Sequence, residues 1–239
     1  MKNLVKYILQ KVLGYKTYLR RFAKYKIRNL HRDKKEGDFF TFMSVIKQEG
    51  IVLDVGANIG IMTYHLSKNF PDRSILAIEP LSSNFDTLRE IKNEFGLDNV
   101  TLIRVAVGDK ESEIEMVLPQ EGNVKMQGLA HVVHDSIDEW NEGEIFKVKC
   151  TTLDSIVDGQ VVAGIKMDIE NFEYFALLGA KELLKKWKPV VYLELWENEN
   201  REKCFDLLRK LGYGIYVNAD GTLCEFNPRK HHKQNFICY

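Results

Sequence analysis

Two carboxylates stand two residues apart in Lys166-Met167-Asp168-Ile169-Glu170, at the end of an apolar run. On extended backbone such a pair points the same way. Like charges held close raise the pKa of one partner, and a carboxyl tuned upward suits the work of a general base. Asp168 and Glu170 are therefore the candidate catalytic groups, one of which could instead cap the helix that follows. Glu194 ends another apolar run, VVYLEL (190–195), and is a third candidate. Trp196, just beyond it, offers a flat face for a sugar. Lys166 is expected to pair with a carboxylate.

A second constellation lies in IVLDVGANIGIMTYHL (51–66). A strand-like run ends at Asp54-Val55 and passes through Gly56-Ala57-Asn58-Ile59-Gly60 into a helix. Glycines in such a turn let backbone approach a ligand closely. Glu79 follows nineteen residues after Gly60, at the end of the next apolar run, where a carboxylate can accept ribose hydroxyls. A dinucleotide site calls for G-x-G-x-x-G. Here Asn58 replaces the middle glycine, and Asp54 would repel a pyrophosphate. S-adenosylmethionine has no phosphate and carries an ammonium and a sulfonium, so the charges favour it. The plainer alternative is an ordinary strand–helix turn with a capping Asn.

His131 and His134 form H-x-x-H, followed by Asp135. On a helix the pair could hold a metal, yet no further His or Cys falls at ligand spacing, so no metal is expected. His131 is instead a candidate acceptor contact. Cys150, Cys204, Cys224 and Cys238 form no C-x-x-C pair, and the expectation is free thiols in a reducing cytoplasm.

Positioning these groups requires a particular scaffold. Val/Ile/Leu-rich runs at 51–55, 74–79, 99–107, 163–169 and 190–195 alternate with helical stretches near 60–69, 82–95, 172–187 and 199–211. That rhythm indicates a parallel sheet covered on both faces, an α/β fold. Residues 110–149 break it, with strands expected at 112–119 and 146–150 around a polar loop; this insertion is expected to form a lid over the acceptor site. The tail predicts a closing β-hairpin turning at Asp220-Gly221, followed by NFICY.

The formal net charge is zero, yet residues 1–36 carry twelve Lys or Arg against Asp33 and Glu36, leaving the body at −10. Leu4, Ile8, Val12, Tyr15, Leu19 and Phe22 recur at helical spacing along this arm. One reading is a cationic amphipathic helix on an anionic membrane surface. The other is a helix packed on its own domain or on a second subunit. No apolar run reaches the ~18 residues of a spanning helix.

The motifs together resemble the FkbM family of S-adenosylmethionine-dependent methyltransferases. VLDVGANIGIMT (52–63), AIEPLSSNFDTL (77–88), NVTLIRVAVGD (99–109), CTTLDSI (150–156), IKMDIENFEYFALLGA (165–180) and VVYLEL (190–195) carry the resemblance, in the family's order. Asn171 stands where the family usually has glycine, and Asn tolerates a left-handed backbone. Residues 110–149 and the arm match poorly. The resemblance implies a Rossmann-like class I methyltransferase fold with a seven-stranded, mostly parallel sheet over residues 37–239, behind a basic helical extension, 1–36. It implies O-methylation of sugars or polyketide-type products, hence a small-molecule or glycan acceptor such as a nucleotide- or lipid-linked sugar. Asp54, Gly56, Ala57, Asn58, Gly60, Glu79 and Ala106 match its cofactor-binding positions. A nucleic-acid methyltransferase is the weaker alternative, because the [DN]-P-P-[YF] signature of amino-methylating enzymes is missing and the body is acidic. A non-catalytic cofactor-binding scaffold is a third reading, and a homo-oligomer is compatible with all three.

Overall fold

The computed structural model describes residues 2–33, 36–135, 137, 140–219 and 221–239. Five parallel strands form its centre: β1 (Ile51–Val55), β2 (Ile75–Ile78), β3 (Val100–Ile103), β9 (Val162–Met167) and β10 (Val190–Glu194), side by side in the order β3-β2-β1-β9-β10. β13 (Asn235–Cys238) runs antiparallel between β10 and β11 (Ile215–Ala219), and β12 (Thr222–Glu225) closes the edge. The sheet therefore has eight strands rather than the expected seven, because the β11–β12 hairpin adds its second arm to the edge. Asp220, half of the turn expected there, lies outside the described residues. Strand order reverses between β1 and β9, and in open α/β sheets ligands bind at that switch point.

Alternation along β1 splits the core into two layers. Leu53 and Val55 face one layer with Met167, Ala176, Leu184 and Phe205. Val52 faces the other with Phe39, Phe42, Leu66 and Leu88. The second layer is covered by α3 (Gly37–Val45), α4 (Ile61–Asn69) and α5 (Ser82–Phe95); the first by α7 (Glu173–Leu178), α8 (Lys181–Trp187) and α9 (Glu199–Lys210). The single helix expected at 172–187 is two, because the chain bends at Gly179, where a Cβ would lie 2.1 Å from the carbonyl oxygen of Gly108.

The strand expected at 99–107 also divides. β4 (Ala106–Val107) leaves the main sheet and pairs with β8 (Gly143–Thr151). β8 runs antiparallel to β5 (Ser112–Glu121), and β6 (Val124–Lys125) and β7 (His131–Val132) join β5. This second sheet is the insertion, and it packs through Met116, Val132 and Cys150 onto Ala106, Leu81 and Phe172.

The arm is two helices. α1 (Lys2–Leu13) and α2 (Tyr15–Asn29) meet at Gly14, whose φ of 74° breaks the helix. On α2, Tyr18, Leu19, Ala23 and Ile27 are buried against Ile59 and Ile91. Lys16 and Arg20 reach Glu90, and Lys24 reaches Glu94, both on α5. Part of the arm's positive charge is thus met by its own acidic body. The apolar stripe is not continuous: Ile8 and Val12 of α1 stay exposed, whereas Leu19 is covered.

Candidate active site

The turn after β1 is built by positive φ at Gly56 (75°), Asn58 (49°) and Gly60 (84°). The missing Cβ atoms make room for neighbouring protein, and Gly56 still borders both cavities described below. A Cβ on Gly56 would lie 1.9 Å from the carbonyl oxygen of Asp168, and one on Gly60 2.8 Å from Leu88 Cδ1. Gly56 N–H and Ala57 N–H both donate to Ile78 O, and Asn58 N–H donates to Glu79 Oε2 at 2.9 Å. Glu79 Oε1 accepts from Leu81 N–H at 3.0 Å and from the Asn84 amide at 3.4 Å. The ends of β1 and β2 are tied through this one carboxylate. Burial pushes it up to about 7, against the pull of its donors.

Around this knot lies a cavity. Gly56, Asn58 and Glu79 form its floor, Val105–Val107 one side, and Asp168 and Glu170 the far end. Met116, Gln127, Gly128, Ala130 and Val132 of the insertion cover it. None of those five was legible, since they lie where the family resemblance is poorest. Two side-chain oxygens at this cavity, Asn58 Oδ1 and Asn84 Oδ1, are buried without a hydrogen-bond partner among the described residues. Such acceptors are costly unless a donor arrives. An adenosyl group carries hydroxyl and amino donors, so these residues fit S-adenosylmethionine. Ala106 lines this cavity, Ala57 lines the neighbouring one, and Gly60 lines neither.

The register of β1 on β9 sets Asp54 opposite Lys166, and that of β10 on β9 sets Tyr192 there too. Asp54 is fully buried, with Thr63 Oγ1 donating to its Oδ2 at 2.6 Å and Lys166 Nζ 3.4 Å from its Oδ1. It lines neither cavity, so its charge meets Lys166 and not a bound cation. Lys166 Nζ also donates to Gly56 O at 2.9 Å and lies 3.8 Å from Asp168 Oδ2. Burial pulls the ammonium down, but Asp54, Asp168 and Glu194 together hold it above its ordinary value.

Asp168, with its side chain 28% exposed, opens onto both cavities. Burial raises its carboxyl despite Lys166. Glu170 is raised well above the usual range by burial and then by Asp168. Glu194 is pushed to about 8, first by the charge of Asp168 and then by burial. Glu170 (φ 53°) and Asn171 (φ 75°) are both left-handed, the conformation that Asn171 tolerates in place of glycine. Glu173, unnoticed in the sequence, secures this turn: its Oε1 accepts from Ile169 N–H at 2.8 Å, and burial lifts its carboxyl to about 8.

A second cavity shares Gly56, Asn58, Gln127, Gly128 and Asp168 with the first. Its outer wall is Phe22 and Lys26 of α2, with Leu30 and Glu36. Residues read as an extension thus stand beside the carboxylates.

His131 corrects another expectation. It is fully buried, with ring nitrogens 2.8 Å from Leu129 O and 3.1 Å from Asn141 Oδ1, and faces neither cavity because it supports the insertion's own fold. The His134 ring lies 4.7 Å from that of Phe175, tilted by 54°. Trp196 is half-buried and outside both cavities. Among the described residues no three His, Cys, Asp or Glu side chains gather as metal ligands, and no helix is long and apolar enough to cross a membrane. The four cysteines are free.

Comparison with known proteins places this geometry. The methyltransferase FkbM domain model matches residues 54–220. A solved methyltransferase FkbM from Methylobacillus flagellatus KT superposes with a TM-score of 0.55 at 16% identity, over 100% of this chain and 59% of that one. Among curated proteins, the AMB antimetabolite synthetase AmbE of Pseudomonas aeruginosa is 23% identical over 75% of this chain, which spans 10% of AmbE. Ribosomal RNA small subunit methyltransferase G of Pseudarthrobacter chlorophenolicus is 37% identical over 36% of this chain and 42% of its own length. The chain thus spans under half the length of the curated relatives it matches.

Proposed function

The chain belongs to the FkbM methyltransferase family and is an S-adenosylmethionine-dependent enzyme; from that premise we propose that it methylates a hydroxyl of a carbohydrate acceptor. The observation that carries the reading is Asp168, an elevated carboxyl common to both cavities. S-adenosylmethionine, when bound, supplies a methyl group on a sulfonium that leaves as a neutral thioether. Glu79 and Asn84 would hold the adenosyl end, and Asn58 would offer its free oxygen to the same ligand. Asp168 takes the hydroxyl proton as the oxygen becomes a nucleophile, a task typically worth ~10²–10⁴-fold. Burial and the charge of Asp54 raise that carboxyl's affinity for a proton, against the pull of Lys166. Lys166 holds the strand ends and shields Asp54 from the reacting groups. Alignment of the hydroxyl between the two cavities supplies much of the remaining barrier reduction, on the order of 7–11 kcal/mol.

The test is transfer of labelled methyl from the cofactor to a panel of glycosides, nucleosides and RNA. Incorporation into a glycoside hydroxyl supports the reading; incorporation only into RNA overturns it. The match to a ribosomal RNA methyltransferase favours that second reading over a third of the chain. Against it, Lys16, Arg20 and Lys24 are engaged by Glu90 and Glu94 and are less free for phosphates.

For the arm, the reading of a peripheral anionic-membrane contact from the cytoplasmic side narrows to α1. There Val5, Ile8, Leu9 and Val12 share one exposed face, with Val12 75% exposed and Lys11 exposed beside it.

A further inference from the structure

We propose that the N-terminal helix α2 and the turn after it form the acceptor subsite, and that this subsite takes an uncharged, hydroxyl-bearing ring such as a neutral glycoside. The inference rests on the carbohydrate reading above and goes further by naming the cavity and the charge of its occupant.

Three observations carry it. First, the second cavity meets the one lined by Glu79 and Asn84 at Gly56 and at Asp168, where a hydroxyl must lie to be deprotonated. Second, its walls differ in character. Phe22 and Leu30 from the arm stand with Ile61 and Met62, an apolar surface for the C–H face of a ring. Glu36 and Asp168 supply acceptors for ring hydroxyls. Third, the cations lining it are already paired among the described residues. Lys26 Nζ donates to Asp33 Oδ2 at 3.1 Å, and Lys166 lies between Asp54 and Asp168. A phosphate placed here would meet Glu36 and Asp168 with no described cation left to bind it, and burying an unpaired charge is costly. The insertion contributes Met116, Ala130 and Val132 to the first cavity alone, and Gln127 and Gly128 to both.

The arm holds this wall firmly. Tyr18, one turn before Phe22, and Ile27, next to Lys26, are buried on the body. Phe22 is half-buried, lines the cavity and stacks on Tyr18 with ring centroids 5.9 Å apart, so an aromatic replacement there keeps that contact.

The experiment uses the full chain with Phe22→Trp, which fills the cavity, and Glu36→Gln, which keeps an acceptor. S-adenosylhomocysteine binding is measured by calorimetry. Methyl transfer is measured on methyl hexopyranosides, on the corresponding hexose 1-phosphates, and on simple aromatic alcohols. The expected result is a neutral glycoside KM raised at least tenfold by Phe22→Trp, with S-adenosylhomocysteine affinity changed less than twofold and the phosphates turned over more than tenfold less well. Loss of S-adenosylhomocysteine affinity in Phe22→Trp overturns the proposal, because the cavity then belongs to the cofactor. An unchanged glycoside KM overturns it while leaving the carbohydrate reading intact. Turnover of aromatic alcohols alone, with a KM that moves in Phe22→Trp, retains the subsite and removes the carbohydrate. Turnover of no panel member overturns both.

Discussion

Lys166 and Asp54 form an ion pair sealed between β9 and β1, with Nζ 3.4 Å from Oδ1 and side chains 3% and 0% exposed. The parallel register that sets these residues opposite each other also sets Val55 opposite Met167, so the pair sits one step inside the strand ends. Breaking a buried pair by removing one partner leaves an uncompensated charge, at about 3–5 kcal/mol. Lys166→Met is expected to destabilise the fold by that amount in urea titration. Adding Asp54→Asn should recover a substantial part, because no bare carboxylate then remains. If Lys166→Met unfolds at the wild-type urea midpoint, the pair is not a structural element.

Glu79 joins the β1 turn to β2 and faces the first cavity. Hydrogen bonds to a charged group contribute about 1.5–3 kcal/mol. Glu79→Ala should weaken S-adenosylhomocysteine binding about 10–100-fold by calorimetry. Asn84→Ala, which removes one orphaned acceptor, should weaken it less.

Asp168, proposed above as the base, has a raised carboxyl, and a base that must be ionised gains activity as pH rises. Turnover is expected to climb with pH, with an inflection above the ordinary carboxylate range, and then level. Asp168→Asn should lower kcat by ~10² or more and flatten that climb, since the amide cannot accept the proton. A pH profile that keeps its shape in Asp168→Asn would assign the base elsewhere.

Stability follows the opposite course. Glu79, Glu173 and Glu194 have folded-state values near 7 or 8, above the usual carboxylate range, so the folded protein binds more protons than the unfolded chain across that interval. Their contribution is full below about pH 4.5 and is lost as pH rises through 8. The melting temperature is expected to fall by about 4 °C or more between pH 6 and pH 9. Glu173→Gln, which still accepts from Ile169 N–H, should make that fall shallower in a calorimetric scan.

The exposed face of α1 predicts a surface effect without a change of fold. Ile8→Asp with Val12→Asp should cut co-sedimentation with vesicles rich in phosphatidylglycerol at least fivefold, leaving the melting temperature unchanged. Equal sedimentation of both proteins would remove the membrane contact.

The family, the cofactor and the α/β architecture were all legible in local sequence. Apolar runs such as 51–55 and 190–195 match strands β1 and β10 closely because a buried parallel strand must be apolar on both faces. Asn58 and Glu79 were likewise readable, since a turn residue and a strand-end carboxylate occupy fixed places in such a unit. The tertiary structure alone decided which side chains meet. Asp54 lost its apparent ligand to Lys166 because strand register is a long-range property. His131 turned inward because the insertion folds into a sheet of its own, and Gln127 and Gly128 reached the cavities by the same route. The +10 arm read as a surface for an external anion, yet part of its charge faces Glu90 and Glu94 of α5. Charge and periodicity define what a segment can bind, and only packing selects the partner.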